Sequence, residues 1–393
     1  MSHRPGSTAP ALLAVLTLAL ALRVGWVVHR GSAGQFPDTI GYQSLAESLL
    51  AGKGFAVASE YQHNRAPLFS ILWAVLWAVF PRSLMVILLV QAVLSTLTVL
   101  AVHRLALDLT GSSAAALGAA GLAAIDPFQV FFVGLALSET LYLTLFTLAL
   151  WRLASSPERP SSPVQAGALM GLAALTRATG LVHGAALTAA ALLGSSGDRS
   201  VRVRTTALFV LGFSLVLTPW VARNASVYGT FVPVATGSGF TLFESNNDLF
   251  QDGPWPPGLP RPTPPAGATP LEEDRFYGSL ARRWIVDHPG QFLARAVRRQ
   301  IRLFDVVPHA ADYSRGSYTL ISAGFMVPLY GLAIVGFLRL DRAARGLVGL
   351  PVVATVALHV LILGSVRYRL PLMPIFCAVA GAALAPRYSR PGS

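Results

Sequence analysis

Charge is scarce in this chain of 393 residues: 12% are Asp, Glu, Lys or Arg, against about a quarter in an ordinary soluble domain. An ordinary soluble fold is therefore excluded. Cysteine is scarcer still. Cys377 is alone, so no intrachain disulfide forms, and cysteine usage does not reveal the compartment. Lysine is nearly absent: Lys53 is the single lysine among 30 cationic side chains, a skew that fits a GC-rich bacterial genome. The histidines His63, His183, His288, His309 and His359 lack metal-ligand spacing and read as structural or solvated. There is no Gly-rich loop of the nucleotide-binding kind, no internal repeat and no long low-complexity tail.

What the chain has in abundance is apolar sequence. Hydrophobic residues make up 53% of it, and long apolar runs recur from near residue 9 to near residue 386. This predicts an all-α polytopic membrane protein. The formal charge of +12 invites a nucleic-acid reading, but the basic residues sit mostly at the ends of apolar runs and form no binding module. No nucleic acid is expected as a partner.

Ten crossings are predicted, over residues 9–28, 83–103, 114–134, 138–154, 164–176, 178–194, 205–222, 319–338, 347–364 and 370–386. The first follows a short basic leader and resembles a signal peptide, but it carries Arg23 and exceeds the usual 7–15 apolar residues, so an uncleaved helix is expected. Residues 67–80 are too few to span, since a crossing takes about 20 residues, and they suit an interfacial or re-entrant piece. With that segment not crossing, Arg4, Arg104, Arg152, Arg159, Arg199, Arg202, Arg204, Arg339, Arg342, Arg345, Arg387 and Arg390 fall on one side. By the positive-inside bias that side is cytoplasmic, which puts both chain ends there and residues 30–82 and 223–317 outside.

Three regions follow: a transmembrane module over 1–222 with its first outer loop at 30–82, an extracytoplasmic loop over 223–317, and C-terminal helices over 318–393. The stretch 252–270 is dense in Pro and Gly and must be loop. Residues 272–305 read as one or two surface helices. There Arg282, Arg283, Arg295, Arg298, Arg299 and Arg302 alternate with Phe276, Trp284, Ile285, Phe292, Val297, Ile301 and Phe304, a pattern fitting a membrane surface with lipid phosphates.

Against this background a few polar residues stand out. Asp38 opens a short amphipathic segment with Tyr42, Leu45, Ala46 and Leu49 on one stripe, and a helix cap is its simplest role. Glu139 follows Ser138 at the outer end of a crossing, where an acid in a first turn is favourable. Arg177 interrupts an apolar stretch in which a charge costs about 2.5–3.5 kcal/mol, so it requires a partner or a polar cavity. An ion pair with Glu139 is one such solution. Pro219-Trp220 with Arg223-Asn224, and Arg367-Tyr368-Arg369-Leu370-Pro371, stand at outer faces against the positive-inside bias. Phosphate binding explains them, and so does anchoring to lipid head groups.

Taken in order, Asp38, Arg65-Ala66-Pro67, Ser138-Glu139, the Gly171 to Arg177 stretch, Pro219-Trp220 with Arg223-Asn224, and Arg367-Tyr368-Arg369-Leu370-Pro371 resemble the GT-C glycosyltransferases. The likeness is greatest to bacterial relatives of protein O-mannosyltransferases and of the lipid A aminoarabinose transferase, and it covers about residues 10–385. It implies a GT-C-like fold with juxtamembrane helices in the first outer loop and a longer outer loop before the last three helices. It also implies an inverting transferase in the plasma (inner) membrane, working on the extracytoplasmic side. The donor would be a polyprenyl-phosphate-linked sugar and the acceptor an unknown glycan, lipid or protein. Asp38 matches the family's proposed base. Many relatives have a second acid directly after it, whereas Thr39 stands here, which weakens any mechanism needing adjacent carboxylates or tight metal binding. The soluble C-terminal domain of some relatives has no counterpart within this chain.

The chemistry asks for a base, supplied by Asp38 with its pKa raised by partial burial, and for cations on the departing phosphate from Arg65, Arg223, Arg367 and Arg369. Tyr42, Glu139, Arg177, Asn224 and Tyr368 complete the expected substrate-binding set. No metal or other cofactor is needed if arginines neutralise a single phosphate. A transporter or lipid flippase is the competing reading. It fits less well, because transporters place ionisable residues near the midplane of repeat-related halves, and no halves match here.

Overall fold

The computed structural model describes residues 8–33, 35–55, 65–155, 161–194, 198–249, 258–309 and 316–384, and these residues contain no β-strand. All ten predicted crossings are helical. They are α1 (Ala9–Arg30), α4 (Leu84–Thr110), the pair α5 (Ser113–Ile125) and α6 (Pro127–Val133), α7 (Glu139–Ala154), α8 (Ser161–Thr176), α9 (Thr179–Gly194), α10 (Arg199–Tyr228), α14 (Ser317–Arg339), α15 (Arg342–Leu361) and α17 (Met373–Leu384). Five of them, α1, α4, α10, α14 and α15, are long and apolar enough to cross a membrane, and the α5–α6 pair makes a sixth if counted as one span. At 1.5 Å per residue the 16-residue helices α7, α8 and α9 each reach about 24 Å, short of the bilayer core.

Several helices outrun their apolar middles. Helix α4 continues to Gly111 and α10 to Gly229, both in the left-handed conformation (φ 66° and 65°) that ends a helix with little strain only at glycine. The expected crossing 114–134 is in fact bent by 49° at Asp126. Arg23 of α1 explains the bend. Its guanidinium donates to the carbonyls of Ala124 (2.9 Å) and Ala123 (3.0 Å), which end α5, and to Ser95 Oγ (2.7 Å). Asp126 in turn accepts from the amides of Phe128 (2.9 Å) and Gln129 (3.3 Å), which begin α6. A buried cation at one helix end and a buried anion at the next satisfy the groups that the break exposes.

The packing is that of a protein solvated by lipid. Large apolar side chains such as Leu13, Val93, Leu215, Leu320 and Ile334 are exposed, while Ala115, Ala116, Ala119, Ala120, Ala123 and Ala124 of α5 are buried. Backbones approach closely where glycine permits. A Cβ on Gly167 of α8 would lie 1.9 Å from the Phe209 carbonyl oxygen of α10, and one on Gly212 would lie 2.1 Å from that of Val164. Helices α8 and α9 reverse direction at Arg177-Ala178, with Gly180 against Ala174 and Gly184 against Met170.

The remaining helices gather at one end of the bundle. They are α2 (Asp38–Leu50), the short α3 (Pro67–Val79), α11 (Ser238–Ser245), α12 (Pro270–Asp287), α13 (Pro289–Phe304) and α16 (Val366–Arg369). Residues 272–305 thus form two helices, parted at His288-Pro289, while α11 carries no sequence signal of its own. The described part of the Pro/Gly-rich stretch, 258–269, holds no regular element. Arg295 and Arg299 of α13 do not face lipid, as the alternating pattern suggested. Arg295 donates to the Asn247 carbonyl (2.8 Å) and Arg299 to the Val360 carbonyl (2.7 Å), while Leu293, Val297 and Ile301 form the exposed stripe. Arg299 and Asn246, whose amide donates to the Leu361 carbonyl (2.8 Å), cap α15 and tie the Arg223 to Ser317 segment to the bundle.

Candidate functional site

Gln35 places the first loop. Its amide nitrogen donates to the Gly134 carbonyl (3.0 Å) and its amide oxygen accepts from the Ala136 amide (2.8 Å), clipping the chain to the turn before α7. Helix α2 begins three residues later. Tyr42 Oη and Ser138 Oγ share a hydrogen bond of 2.8 Å, and Tyr42 packs edge-on against Phe69 of α3. Asp38 and Glu139, each the first residue of its helix, therefore lie at neighbouring positive helix ends.

Three guanidiniums meet these two carboxylates. Arg65 Nη2 donates to Asp38 Oδ1 (2.7 Å) and Arg367 Nη2 to Asp38 Oδ2 (2.8 Å). Arg367 also turns its Nε to Glu139 Oε1 (2.5 Å), and Arg177 Nη1 reaches the same oxygen (2.8 Å) as well as Ser138 Oγ (3.1 Å). Arg367 is thus the bridge between residues 329 and 228 positions away in sequence. Three positive charges against two negative leave a formal surplus of one. Glu139 Oε2 is buried and has no hydrogen-bond partner among the described residues.

Burial pushes the Asp38 carboxyl up, but the Arg65 and Arg367 guanidiniums outweigh it and hold the group well below its ordinary value of 3.8. The expectation of a raised pKa is therefore corrected for the protein as it stands. Sequence shows the acid and the arginines, but not that two of the arginines close on the acid itself.

Next to this network lies a small, partly open cleft, walled by Glu139, Tyr142, Arg177, His183, His359, Arg367 and Tyr368 among others. Tyr142, His183, Thr355 and His359 were missed as site residues. They come from three helices with no shared motif, so no signal in the sequence joins them. The other predicted residues are more scattered. Tyr368 lines the cleft beside the His359 ring (5.2 Å between centroids). Arg223 lies on the Trp220 ring (4.9 Å) and near Phe55, and it donates to Asn224 Oδ1 (3.0 Å). Asn224 is buried and donates to the Val232 (2.9 Å) and Val234 (3.1 Å) carbonyls, closing the turn after α10. Arg369 turns away from the cleft and donates to Tyr330 Oη (2.8 Å) and the Asp305 carbonyl. His63 lies outside the described residues.

Chemically the site combines a carboxylate, an excess of guanidinium donors suited to phosphate, and a cleft of mixed polar and apolar lining at the end of a lipid-facing bundle.

Comparison with known proteins agrees with this architecture. Residues 64–222 match the model of a family described as dolichyl-phosphate-mannose-protein mannosyltransferase. No curated protein sequence matches the chain. Among solved structures, ArnT from Cupriavidus metallidurans in the apo state is similar, with TM-score 0.61 and 16% identity over 96% of this chain and 60% of that one. The same protein bound to undecaprenyl phosphate gives TM-score 0.58 at 16% identity and the same coverage. The archaeal oligosaccharyltransferase AglB from Archaeoglobus fulgidus, in complex with an inhibitory peptide and a dolichol-phosphate, gives 0.56 at 14% identity over 95% of this chain and 50% of that one. The chain therefore spans 50–60% of the length of these structures.

Proposed function

The chain has the fold of the GT-C membrane glycosyltransferases, and on that premise we propose that it moves a sugar from a polyprenyl-phosphate carrier to an acceptor hydroxyl, inverting the anomeric centre. The acceptor is a glycan, lipid or protein, met on the extracytoplasmic side of the plasma membrane. Residues 1–222 form the catalytic module, 223–317 the loop that pins α15, and 318–393 contribute Arg367. Arg65 and Arg367 on the two oxygens of Asp38 are the observation that carries this reading.

A donor phosphate competes with Asp38 for those two guanidiniums. As it takes them, the carboxylate loses its counter-charges and its pKa rises towards the range in which it accepts a proton. The acceptor oxygen then attacks the anomeric carbon and gives its proton to Asp38. The bond from that carbon to the phosphate oxygen breaks, and its electron pair stays on the phosphate. Arg65 and Arg367 meet the charge that develops there, so they stabilise the transition state more than the ground state. The polyprenyl chain lies along the exposed apolar faces of the bundle.

The reading is tested with the full chain in proteoliposomes, supplied with polyprenyl phosphate carrying a radiolabelled sugar and with a membrane extract as acceptor source. Release of polyprenyl phosphate with label on an acceptor is expected. Asp38→Asn should lower that release by about 10²-fold or more in protein that still folds cooperatively, with the thermal midpoint lowered only by loss of the two ion pairs. Transfer by Asp38→Asn at the unaltered rate would remove Asp38 from the role of base.

A further inference from the structure

Resting on that reading, we infer that Arg369 is the positioning residue for Arg367: gripped on the far side of α16, it sets the rotation of that turn, and with it the point at which Arg367 meets the two carboxylates and the donor phosphate.

The shortness of α16 makes such a grip necessary. Its four residues, Val366–Arg369, form one turn, and a single helical turn does not hold its own shape. The entry to it is fixed. The Leu363 amide donates to Ser245 Oγ (2.9 Å), a Cβ on Gly364 would lie 2.1 Å from the Arg299 carbonyl oxygen, and Ser365 Oγ accepts from the Arg367 amide (3.1 Å). These contacts hold the chain up to residue 365, whereas the direction in which residue 367 points is set by what grips the turn beyond it. Arg367 tolerates little rotation, since it must reach Glu139 Oε1 (2.5 Å) and Asp38 Oδ2 (2.8 Å) through separate nitrogens. A roll of about 10° moves the tip of so long a side chain by about 1 Å, and 1 Å at a reacting centre can cost about 10²-fold.

Arg369 opposes that roll. It is fully buried, and its Nη1 donates to Tyr330 Oη (2.8 Å) on α14, to the Leu303 carbonyl (3.4 Å) at the end of α13, and to the Asp305 carbonyl just beyond. The guanidinium carbon also lies 4.9 Å from the centre of the Phe128 ring on α6. Three elements from distant parts of the chain thus converge on one group. Stability alone does not call for a cation there. Nε and Nη2 are buried with no hydrogen-bond partner among the described residues, a costly arrangement that an apolar side chain would avoid. What the guanidinium supplies is direction, because rotation of α16 would draw Nη1 away from all three oxygens together.

Capping the last carbonyls of α13 is the plainer role, and a double-substitution cycle separates the two. The affinity of the full chain for C55 polyprenyl phosphate is measured in nanodiscs for the parent, Arg369→Lys, Arg367→Gln and the two combined. Arg369→Lys should weaken binding about tenfold in the parent and less than about twofold beside Arg367→Gln, since a residue that acts through Arg367 then has nothing left to position. Thermal midpoints give a second readout that needs no carrier. Burial pushes the Asp38 carboxyl up, and Arg65 and Arg367 together hold it low. Displacing Arg367 lets it rise towards 3.8, so Arg369→Lys should shrink the loss of midpoint below about pH 4 by roughly half. A cap alone would lower the midpoint equally at every pH. Should Arg369→Lys fail to fold, Tyr330→Phe, which removes one of the three acceptors, carries the same comparisons with smaller effects of the same sign. Equal weakening in both backgrounds, or an acid-side loss of unaltered size, would overturn the proposal while leaving the lipid-linked donor reading intact. Absence of saturable carrier binding by the parent would bring down that reading, and the midpoints would then decide the positioning role by themselves.

Discussion

At the residue scale the site depends on the shape of one side chain. Arg367 satisfies two carboxylates through separate edges of a planar fork, which a lysine ammonium on a flexible stem cannot reproduce. Arg367→Lys should therefore keep the charge, fold normally, and lose about 10²-fold or more in kcat/KM in a transfer assay. The pH dependence follows from Asp38. Its folded-state pKa is depressed, so its contribution to stability is complete above the ordinary value of 3.8 and is lost as the pH falls through the lower folded value. The thermal midpoint should drop on acidification below about pH 4, and Asp38→Asn should flatten that drop. These residues were legible as charges out of place, but their roles were not equally so. Arg367 and Arg369 are two positions apart on α16, and on a helix such neighbours point about 200° apart. One enters the cleft and the other braces Tyr330. A motif read as letters gives them the same weight.

At the element scale, hydropathy located the middle of every predicted crossing and the α8–α9 break at Thr176-Arg177, but not the ends of α4 and α10 or the α5–α6 break. The ends depend on caps, such as the left-handed Gly111 and Gly229, and on distant donors, such as Arg299 at the end of α15. The α5–α6 break was hidden for the same reason: the partner that satisfies its carbonyls, Arg23, lies about 100 residues earlier. Glycine placement is the more testable feature. A Cβ at Gly212 would fall 2.1 Å from a backbone oxygen of α8, an obstacle that side-chain rotation cannot relieve, whereas no atom of the described residues outside its own helix turn lies within 4 Å of the same atom at Gly121. Gly212→Val should part α8 from α10 and cost about 1–3 kcal/mol, seen as a lower thermal midpoint in detergent. Gly121→Ala, made alongside, should leave the midpoint near that of the parent protein.

At the scale of the whole molecule the two ends of the bundle use arginine differently. At the end holding the site, Arg65, Arg177 and Arg367 pair with acids, while Arg295, Arg299 and Arg369 brace backbone carbonyls. At the opposite end Arg345 donates to the Phe337 carbonyl (3.0 Å) and Arg339 to that of Ala383 (2.9 Å), closing helix ends while supplying the positive charge that biases topology. If that bias sets the orientation, the site faces away from the cytoplasm. The chain is well suited to the measurement, because its one cysteine, Cys377, is buried and leaves a quiet background. Lys53→Cys, exposed just after α2, should react with a membrane-impermeant maleimide added to intact cells. Arg342→Cys, exposed at the start of α15, should react only after the membrane is opened. The reverse pattern would put Asp38 on the cytoplasmic side, where nucleotide-activated sugars are at hand and a lipid-linked donor loses its rationale.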